Sequence, residues 1–158
     1  MLTIDFEDVL RINAQSIPGV AVLDNVELLR LMSLPNAHRA AKSADNRVVG
    51  YVLAFPDHAE YDGEEFEALQ RLCPRSFLYV DQVAVEATMR RNGVAVSLYS
   101  ALERDARYAA MSALCCEVNL KPPNPTSVAF HLSMGFEASG ELETEDSRLV
   151  SLMIKRLE

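Results

Sequence analysis

The sequence feature that most constrains the fold is a strand-to-helix corner in the middle of the chain, VAVEATMRRNGVA (residues 83–95). Apolar and β-branched residues before the corner predict a buried strand over residues 76–85. Apolar residues at helical spacing after it predict a helix over residues 94–110. A chain that passes from a buried strand into a long helix needs a sheet with helices packed on its faces, so this corner predicts an α/β fold.

The segments on either side of the corner predict alternating strands and helices in the middle of the chain, flanked by antiparallel hairpins. Further strands are predicted over residues 38–43, 48–55, 114–120, 137–143 and 149–157. Further helices are predicted over residues 6–14, 26–34, 64–72 and 126–134. With 158 residues and no internal repeat or linker, the chain fits one domain built around a mixed α/β sheet.

The composition narrows the classes of function. A net charge of -8 disfavours non-specific binding of nucleic acid and favours small cationic partners. No apolar run approaches the roughly 20 residues of a membrane span, and the acidic start MLTIDFED differs from a signal peptide, which begins basic. Three cysteines, Cys73, Cys115 and Cys116, form an odd number, which predicts reduced core thiols and a cytoplasmic protein. No spacing of histidines and cysteines predicts a metal site.

The corner itself has the properties of an anion-binding site. The first backbone N–H groups of a helix have no intrahelical partner and carry partial positive charge, which suits phosphate. Gly93 allows a ligand to approach the backbone, Ala95 adds little bulk, and Arg90 and Arg91 supply charge. The alternative is an ordinary turn that uses glycine only for its backbone freedom. The chain contains neither G-x-G-x-x-G nor G-x-x-x-x-G-K-[ST], so the sequence supports neither a dinucleotide site nor a nucleotide triphosphatase loop.

Two motifs at strand-helix junctions resemble those of a known family. RRNGVA (residues 90–95) resembles the [RQ]-x-x-G-x-[GA] loop of the GNAT superfamily of acyl-CoA-dependent N-acyltransferases. Downstream, NPTSVAFHLSMGF (residues 124–136) resembles the second signature of that family, N-x-x-A-x-x-x-Y-x-x-x-G-F. The motifs occur in the family's order and cover roughly residues 79–136, and EVNLKPPN (residues 117–124) is similar to an uncharacterised bacterial subgroup of the family.

The resemblance implies one GNAT-like N-acetyltransferase domain over residues 1–158. Its central sheet would be mixed and mostly antiparallel, with about six to seven strands and helices on both faces. The family's fourth and fifth strands, here residues 76–85 and 114–120, would splay apart. The resemblance also implies transfer of an acetyl group from acetyl-CoA to a primary amine of a small molecule or peptide, by direct attack in a ternary complex. The alternatives are a catalytically decayed acyl-CoA-binding or sensing module, and a loop that binds another phosphorylated ligand.

The same resemblance implies that coenzyme A, brought as acetyl-CoA, lies along the corner. Backbone N–H groups of the loop would bind its pyrophosphate, and its pantetheine arm would pair with the backbone of Val83 and Val85. An N–H group near Val83 would polarise the thioester carbonyl, and no metal ion is implied. The implied coenzyme-binding residues are Val83, Ala84, Val85, Arg90, Arg91, Asn92, Gly93, Val94, Ala95, Val96, Asn124, Ser127 and His131.

Three residues depart from the family pattern. Ala95 and Ser127 are mild changes from glycine and alanine. His131 stands where much of the family has a tyrosine whose hydroxyl protonates the departing thiolate. An imidazolium can act as this acid, because its ordinary pKa of about 6.5 lies below the roughly 8.5 of a thiol. The alternative is a partly buried histidine that packs and forms hydrogen bonds.

The amine must also lose a proton to a base, and strand alternation brings candidates to the splay. Tyr79, Asp81 and Val83 are expected on one face of the first strand, and Cys115, Glu117 and Asn119 on one face of the second. If these faces meet, Asp81 and Glu117 are the carboxylates nearest the chemistry, and partial desolvation would raise their pKa values. The alternative is that each is a solvated or salt-bridged strand residue. Tyr79 is a further candidate that packs or faces the substrate, whereas Cys115 and Cys116 are expected in the core.

Two other segments predict how the protein meets its partners. The insert DHAEYDGEEFE (residues 57–67) carries six carboxylates, with Tyr61 and Phe66 between them. It forms either an anionic, aromatic wall for a cationic amine acceptor or a solvated helix start. The segment SRLVSLMI (residues 147–154) is apolar and is expected at a sheet edge, where it would need covering. This second segment predicts a homodimer.

Overall fold

The computed structural model describes residues 1–73 and 76–157, and each predicted helix and strand is found there within two residues of its expected ends. The helices are α1 (Phe6–Ser16), α2 (Asn25–Ser33), α3 (Glu64–Leu72), α4 (Val94–Tyr108) and α5 (Pro125–Ser133). The strands are β1 (Arg39–Lys42), β2 (Val48–Pro56), β3 (Phe77–Val85), β4 (Ala113–Lys121), β5 (Glu137–Glu143) and β6 (Leu149–Arg156). Short 3₁₀ helices cover Thr3–Asp5 and Ala87–Met89.

The strands form one sheet in the order β1-β2-β3-β4-β6-β5. Neighbouring strands run antiparallel except β3 and β4, which are parallel and are connected through α4. A parallel pair needs such a crossover, because a tight turn can only join antiparallel strands. The mixed, mostly antiparallel sheet confirms the predicted fold class.

Helices cover both faces of the sheet, because buried side chains of the central strands alternate between two cores. One core joins α1, α2 and α3 to the sheet, and Val9, Leu28 and Leu69 are fully buried in it. The other core lies beneath α4 and includes Leu98 and Leu102. The sheet is therefore the middle of three layers. The end of the sheet at which β3 and β4 separate lies between the two sets of helices.

The first turn of α4 rests directly on the sheet because β2 carries a glycine there. A Cβ atom at Gly50 would lie 2.8 Å from Cγ1 of Val94 and 3.2 Å from the carbonyl oxygen of Ala84. Any larger residue at this position would push the helix away from the strands. Gly50 thus sets how close the start of α4 lies to the end of β3.

Strands β3 and β4 are paired over only about half of their length. The ladder runs from the pair Phe77–Ala113 to the pair Val80–Cys116. Beyond it, β3 continues to Val85 and β4 continues to Lys121 without pairing to each other. This divergence is the predicted splay, and it opens the space in which the candidate site lies.

A β-bulge in β3 changes which side chains face the splay. Two successive residues of β2 pair with Gln82 and Val80, so Asp81 is an extra residue on its strand. The alternation resets there, so that Val83 packs on the core beneath α4 whereas Tyr79 belongs to the other core. The prediction that Tyr79, Asp81 and Val83 share one face is therefore wrong for Val83, because simple alternation does not account for a bulge.

Residues 147–154 lie inside the sheet and not at its edge. Most of them belong to β6, which pairs with β4 on one side and β5 on the other. The outer strand β5 is exposed and carries Glu137, Glu141 and Glu143, charges that discourage pairing with another chain. The prediction that this apolar segment lies at a sheet edge is therefore wrong. The homodimer remains a prediction, but this segment no longer supports it.

Two expectations from composition concern buried thiols and membranes. Cys115 and Cys116 are buried in different cores, as predicted for core thiols. No helix within the described ranges combines the length and the apolar character that a membrane crossing needs.

Candidate active site

A cleft of about 810 Å³ opens where β3 and β4 part. Its walls come from both strands, the loop before α4, the first turns of α4 and α5, and the loop between α1 and α2. Every predicted coenzyme-binding residue except Asn92 lines the cleft, as do the candidate catalytic residues Asp81, Glu117 and His131. Tyr79 lies behind the carboxylates and does not line the cleft. The fold thus brings distant parts of the sequence to one place.

The glycine loop leaves the N-terminus of α4 open. Gly93 precedes the helix with a φ of 78°, and no side chain caps the helix there. A Cβ atom at Gly93 would meet nothing within 4 Å, so a ligand can approach this backbone. The N–H group of Ser97 donates the first hydrogen bond of the helix, to Gly93. The N–H groups of Val94, Ala95 and Val96 therefore have no partner inside the helix, and they form a site suited to an anion.

The polar residues of the loop have different roles. Asn92 donates from Nδ2 to the carbonyl oxygens of Met89 and Arg90, both at 3.3 Å, and so fixes the loop's conformation. Arg90 donates from Nε to the carbonyl oxygen of Val85 at 3.2 Å, which ties the loop to the end of β3. Arg91 is exposed and lines the cleft, so that its charge is available to a ligand.

The second family motif forms the start of α5. Asn124 caps this helix, because its Oδ1 accepts a hydrogen bond from the N–H of Ser127 at 3.3 Å, and Pro125 follows in the first turn. This cap fixes the helix so that Ser127 and His131, one turn apart, both line the cleft. On the opposite wall, the Cβ position of Gly19 lies 3.9 Å from Nδ2 of Asn124. The loop between α1 and α2 and the start of α5 therefore approach each other across the cleft.

Both ring nitrogens of the buried His131 are engaged in hydrogen bonds. Nδ1 lies 2.7 Å from the carbonyl oxygen of Ser127, and Nε2 lies 2.7 Å from the hydroxyl oxygen of Tyr99. Burial lowers the pKa of His131 below its ordinary value of 6.5, and the bond to Ser127 opposes this only in part. The site therefore favours the neutral ring over the imidazolium.

Each of the two candidate carboxylates accepts a hydrogen bond from a tyrosine. The hydroxyl of Tyr79 donates to Glu117 at 2.8 Å, and the hydroxyl of Tyr61 donates to Asp81 at 2.7 Å. Burial raises the pKa of Asp81 to about 6. Burial, together with the nearby charge of Asp81, raises the pKa of Glu117 well above its ordinary range. Carboxylates shifted in this way can accept a proton near neutral pH.

Among the residues that the structure describes, neither carboxylate forms an ion pair. Arg148 lies near enough to act on Glu117 but binds Glu65 at 2.9 Å and Asp146 at 3.0 Å instead. The salt-bridged alternative is therefore wrong for both candidates. When either carboxylate is ionised, no described cation pairs with it, which suits a cationic amine.

The acidic insert lies behind the carboxylates. The ring of Tyr61 lies 4.6 Å from that of Phe55 and 5.6 Å from that of Tyr79, measured between ring centroids. The ring of Phe66 packs at 5.2 Å against the same Tyr79. No described residue of the insert lines the cleft, and the acidic residues at the start of α3 fit the helix-start alternative. The insert acts on the site through the hydroxyl of Tyr61, which holds Asp81, and through the charge of Glu65, which raises the pKa of both carboxylates.

The sequence did not predict the loop between α1 and α2 as part of the site. Buried Asn13 holds this loop, because its Nδ2 donates to the carbonyl oxygen of Ala21 at 2.8 Å and its Oδ1 accepts from the N–H of Leu23 at 3.0 Å. Gln82, beside the bulge, also donates to Ala21, at 3.1 Å. An asparagine among the apolar positions of α1 is the sequence feature that could have indicated this loop, since buried polar groups need specific partners.

The sequence also missed Tyr99 on α4. Its helical spacing from Leu98 and Leu102 is that of an ordinary core residue, and its ring is indeed buried. Its hydroxyl, however, reaches His131, and the residue lines the cleft together with Cys116 and Glu117. Only the tertiary structure brings Tyr99 next to the second motif.

One cleft therefore contains an open helix start suited to an anion and two carboxylates of raised pKa, an arrangement that suits a transferase. No group of three or more potential metal ligands occurs within the described residues. The model of the acetyltransferase (GNAT) family matches residues 12–136. The chain therefore belongs to the GNAT family of acetyltransferases, as its two motifs predicted.

Solved structures of similar fold include several N-acetyltransferases. Ard1 from Thermoplasma volcanium shares 22% identity and a TM-score of 0.78, over 100% of this chain and 95% of its own. Chaetomium thermophilum Naa20 in complex with a bisubstrate analogue shares 17% identity and a TM-score of 0.76, over 99% and 84%. Arabidopsis thaliana NAA60 in complex with acetyl-CoA shares 15% identity and a TM-score of 0.75, over 99% and 96%. A search of curated proteins finds no match.

Proposed function

We propose that the protein transfers an acetyl group from acetyl-CoA to a primary amine of a small molecule or peptide. The observation that carries this proposal is the meeting of an open helix N-terminus and two carboxylates of raised pKa in the splay between β3 and β4. Membership of the GNAT family supports acetyl transfer in general. The position of the carboxylates supports an amine as the acceptor.

The coenzyme is proposed to bind along the wall formed by β3 and α4. The N–H groups of Val94, Ala95 and Val96 would bind the pyrophosphate, with Arg91 adding positive charge. The open half of β3 leaves backbone groups of Val83 and Val85 unpaired with β4, so the pantetheine amides can pair with them as a strand would. The acetyl group then lies near the point where the strands part. Coenzyme-bound neighbours such as NAA60 with acetyl-CoA support this co-substrate.

The acceptor is proposed to enter on the side of Asp81 and Glu117. One carboxylate of this coupled pair accepts a proton from the incoming ammonium, directly or through a water molecule. The neutral amine attacks the thioester carbonyl directly, without a covalent enzyme intermediate. A backbone N–H near Val83 stabilises the oxyanion. The two carboxylates that line the cleft support a cationic acceptor, and Naa20 with a bisubstrate analogue supports a ternary complex.

Incubation of the purified protein with acetyl-CoA and a panel of amines tests the proposal. The panel contains polyamines, amino acids, aminoglycosides and short peptides with free N-termini. Amine-dependent thiol release, with the acetylated product identified by mass spectrometry, is the expected result. Reactions without amine correct for thioester hydrolysis. Binding of acetyl-CoA without turnover of any amine would support the decayed or sensing module instead, and thermal shifts that favour ATP or NAD would point to another phosphorylated ligand.

We also propose a cytoplasmic location and a homodimer. The location is supported by the reduced, buried state of Cys115 and Cys116. Light scattering at micromolar concentration tests the dimer, and a single species of 17.5 kDa would contradict it.

A further inference from the structure

The hydrogen bond between Tyr99 and His131 joins the two family motifs through side chains. Tyr99 lies on α4, which follows the glycine loop, and His131 lies on α5, which follows Asn124. The distance between the tyrosine oxygen and Nε2 is 2.7 Å, and both residues are almost fully buried. The aromatic rings of Phe130 and Phe136 pack against Tyr99 at 5.8 and 5.7 Å and hold it in place.

The chemistry of the partners fixes the direction of this hydrogen bond. The carbonyl oxygen of Ser127 can only accept, so Nδ1 of His131 must carry a proton. Since burial keeps the ring neutral, Nε2 carries none and accepts the proton of the Tyr99 hydroxyl. His131 therefore has no free N–H for a ligand. Its Nδ1 is bound at Ser127, whose hydroxyl oxygen also lies 3.3 Å away, and its Nε2 is bound to Tyr99.

We propose that Tyr99 is a catalytic residue of the acetyl transfer, passing a proton to the sulfur of departing coenzyme A while His131 stores that proton behind it. This inference rests on the proposed function. It concerns the second proton of the reaction, since the first leaves the ammonium for the carboxylate pair. In this proposal His131 does not donate a proton directly to the coenzyme thiolate. It acts through Tyr99 and is therefore a positioning residue.

The proton balance of the relay is as follows. Amine attack gives a tetrahedral intermediate whose nitrogen still carries one surplus proton. That proton passes to the Tyr99 oxygen as the tyrosine's own proton passes to Nε2 of His131. The C–S bond then breaks, its electron pair stays on sulfur, and sulfur takes the proton from Tyr99 while Nε2 returns its proton to the tyrosine. One N–H bond is lost, one S–H bond is formed, and both residues regain their starting states.

The surroundings of Tyr99 suit a relay better than an ionised base. The described titratable groups that act on it are Cys116 and Glu117 on β4, besides His131 on α5. Burial, with the influence of both β4 groups, raises the pKa of Tyr99 well above its ordinary value. A free phenolate is therefore disfavoured, and a proton can leave the hydroxyl only if another arrives.

Tyr99→Phe removes the hydroxyl and keeps the ring. We expect kcat to fall by about 10²-fold, the lower end of what acid–base assistance contributes, with the KM for acetyl-CoA nearly unchanged. His131→Ala should show a similar fall, and the double variant should be no slower than the slower single variant, because both residues serve one path. Tyr108→Phe is the matched control, since it removes another tyrosine hydroxyl from α4, at a residue that is exposed and does not line the cleft. It should leave kcat and the pH profile unchanged.

A second measurement needs no acceptor. The pKa of the thiol of bound coenzyme A is followed by the ultraviolet absorbance of the thiolate, in the wild type and in both tyrosine variants. When the thiol ionises, the Tyr99 hydroxyl turns its one hydrogen bond from Nε2 to the thiolate and stabilises it, so Tyr99→Phe should raise this thiol pKa by about one unit, and Tyr108→Phe should leave it unchanged.

The outcomes separate the two proposals. A raised thiol pKa in Tyr99→Phe together with a fall in kcat supports the relay. If no amine is turned over, the proposed function fails and the relay fails with it, whatever the thiol pKa. An unchanged thiol pKa, or a loss of stability with unchanged kcat, overturns the relay and leaves the proposed function standing. A wild-type protein that does not bind coenzyme A overturns both.

Discussion

The two halves of the β3–β4 pair are built from the same two strands but differ in what surrounds them. In the paired half, residues 77–80 and 113–116, the backbone groups pair across the ladder and the side chains are buried. In the open half, residues 81–85 and 117–121, the strands part and polar residues appear at once, with Asp81 and Glu117 the first on each strand. On each strand, the first residue after the last ladder pair is therefore a candidate catalytic carboxylate.

This difference places the residues that pack the core and the candidate catalytic residues in different halves of the strand pair. The paired half supplies the well-packed end of the sheet, including Leu114 and Cys115 in different cores. The open half leaves backbone groups of β3 and β4 unpaired with each other and keeps two carboxylates near each other, neither of which forms an ion pair with another described residue. Such an arrangement costs folding free energy, and the packing of the paired half offsets it. Substitutions in the two halves should therefore affect different measurements.

The largest expected effect comes from Glu117→Gln in the open half. The amide keeps the shape but cannot accept the proton, so kcat/KM should fall by about 10²–10⁴-fold while the melting temperature stays equal or rises. Glu86→Gln is the matched control, because Glu86 is also buried but pairs with Arg11 at 2.6 Å and Arg47 at 3.0 Å. It should cost about 1–2 kcal/mol of stability and spare the activity. Equal activity losses in both variants would contradict the comparison.

Gly93→Asp should weaken acetyl-CoA binding by about 10²-fold or more, equivalent to about 2.7 kcal/mol. The new side chain would place bulk and negative charge at the open start of α4, against the pyrophosphate. Gly135→Asp controls for backbone strain, since Gly135 also has a positive φ, 95° against 78°, but lies outside the cleft. Calorimetric titration of both folded variants checks the prediction. An unchanged affinity in Gly93→Asp would rule out this site.

The pH profile should show the coupled carboxylates of the open half. Protonation removes the base, and burial raises both pKa values, so kcat/KM should fall about tenfold per pH unit below an apparent pKa of about 6 or higher. Asp81→Asn removes a negative charge near Glu117 and should move this acid limb to lower pH. A limb at the ordinary carboxylate range of about 4, unaffected by Asp81→Asn, would be evidence against both residues.

The smallest effect is expected from Cys115→Ala in the paired half. Cys115 is fully buried and does not line the cleft, so the change should cost about 1–2 kcal/mol of unfolding free energy and leave kcat unaltered. Urea denaturation and steady-state kinetics on one preparation test both statements. A change in kcat without a loss of stability would show that the paired half is not purely structural.

The sequence predicted most of the fold and most of the residues that line the cleft, because those depend on local patterns. The ends of the elements follow from periodicity, from glycine and proline positions, and from the asparagine cap Asn124. The splay and the two carboxylates followed from the family's motifs together with strand alternation. Gly93 was identified because glycine readily adopts a positive φ and because the apolar pattern after it predicts the start of a helix.

The rest depended on tertiary structure, which local patterns do not record. The bulge at Asp81 appears only when β2 is paired with β3, so Val83 was placed on the wrong face. Residues 147–154 were expected at the sheet edge because they form the last strand in the sequence. In the sheet, β6 lies between β4 and β5, so these residues are not at the edge. Tyr99 occupies a regular core position of α4, and its role depends on meeting His131, which is 32 residues away in the chain.

The anchoring of the loop between α1 and α2 has a consequence for changing the acceptor. Asn13 fixes the loop at Ala21 and Leu23, and Gln82 fixes it from the strand residue next to Asp81. Residues 17–20 between α1 and these anchors are held mainly at their ends, and Gly19 and Val20 reach the cleft. This segment can therefore change in length and sequence while the hydrogen bonds at Ala21 and Leu23 remain. In the proposed site, exchanging these residues would change the acceptor preference without disturbing the carboxylates or the backbone groups proposed to bind the coenzyme.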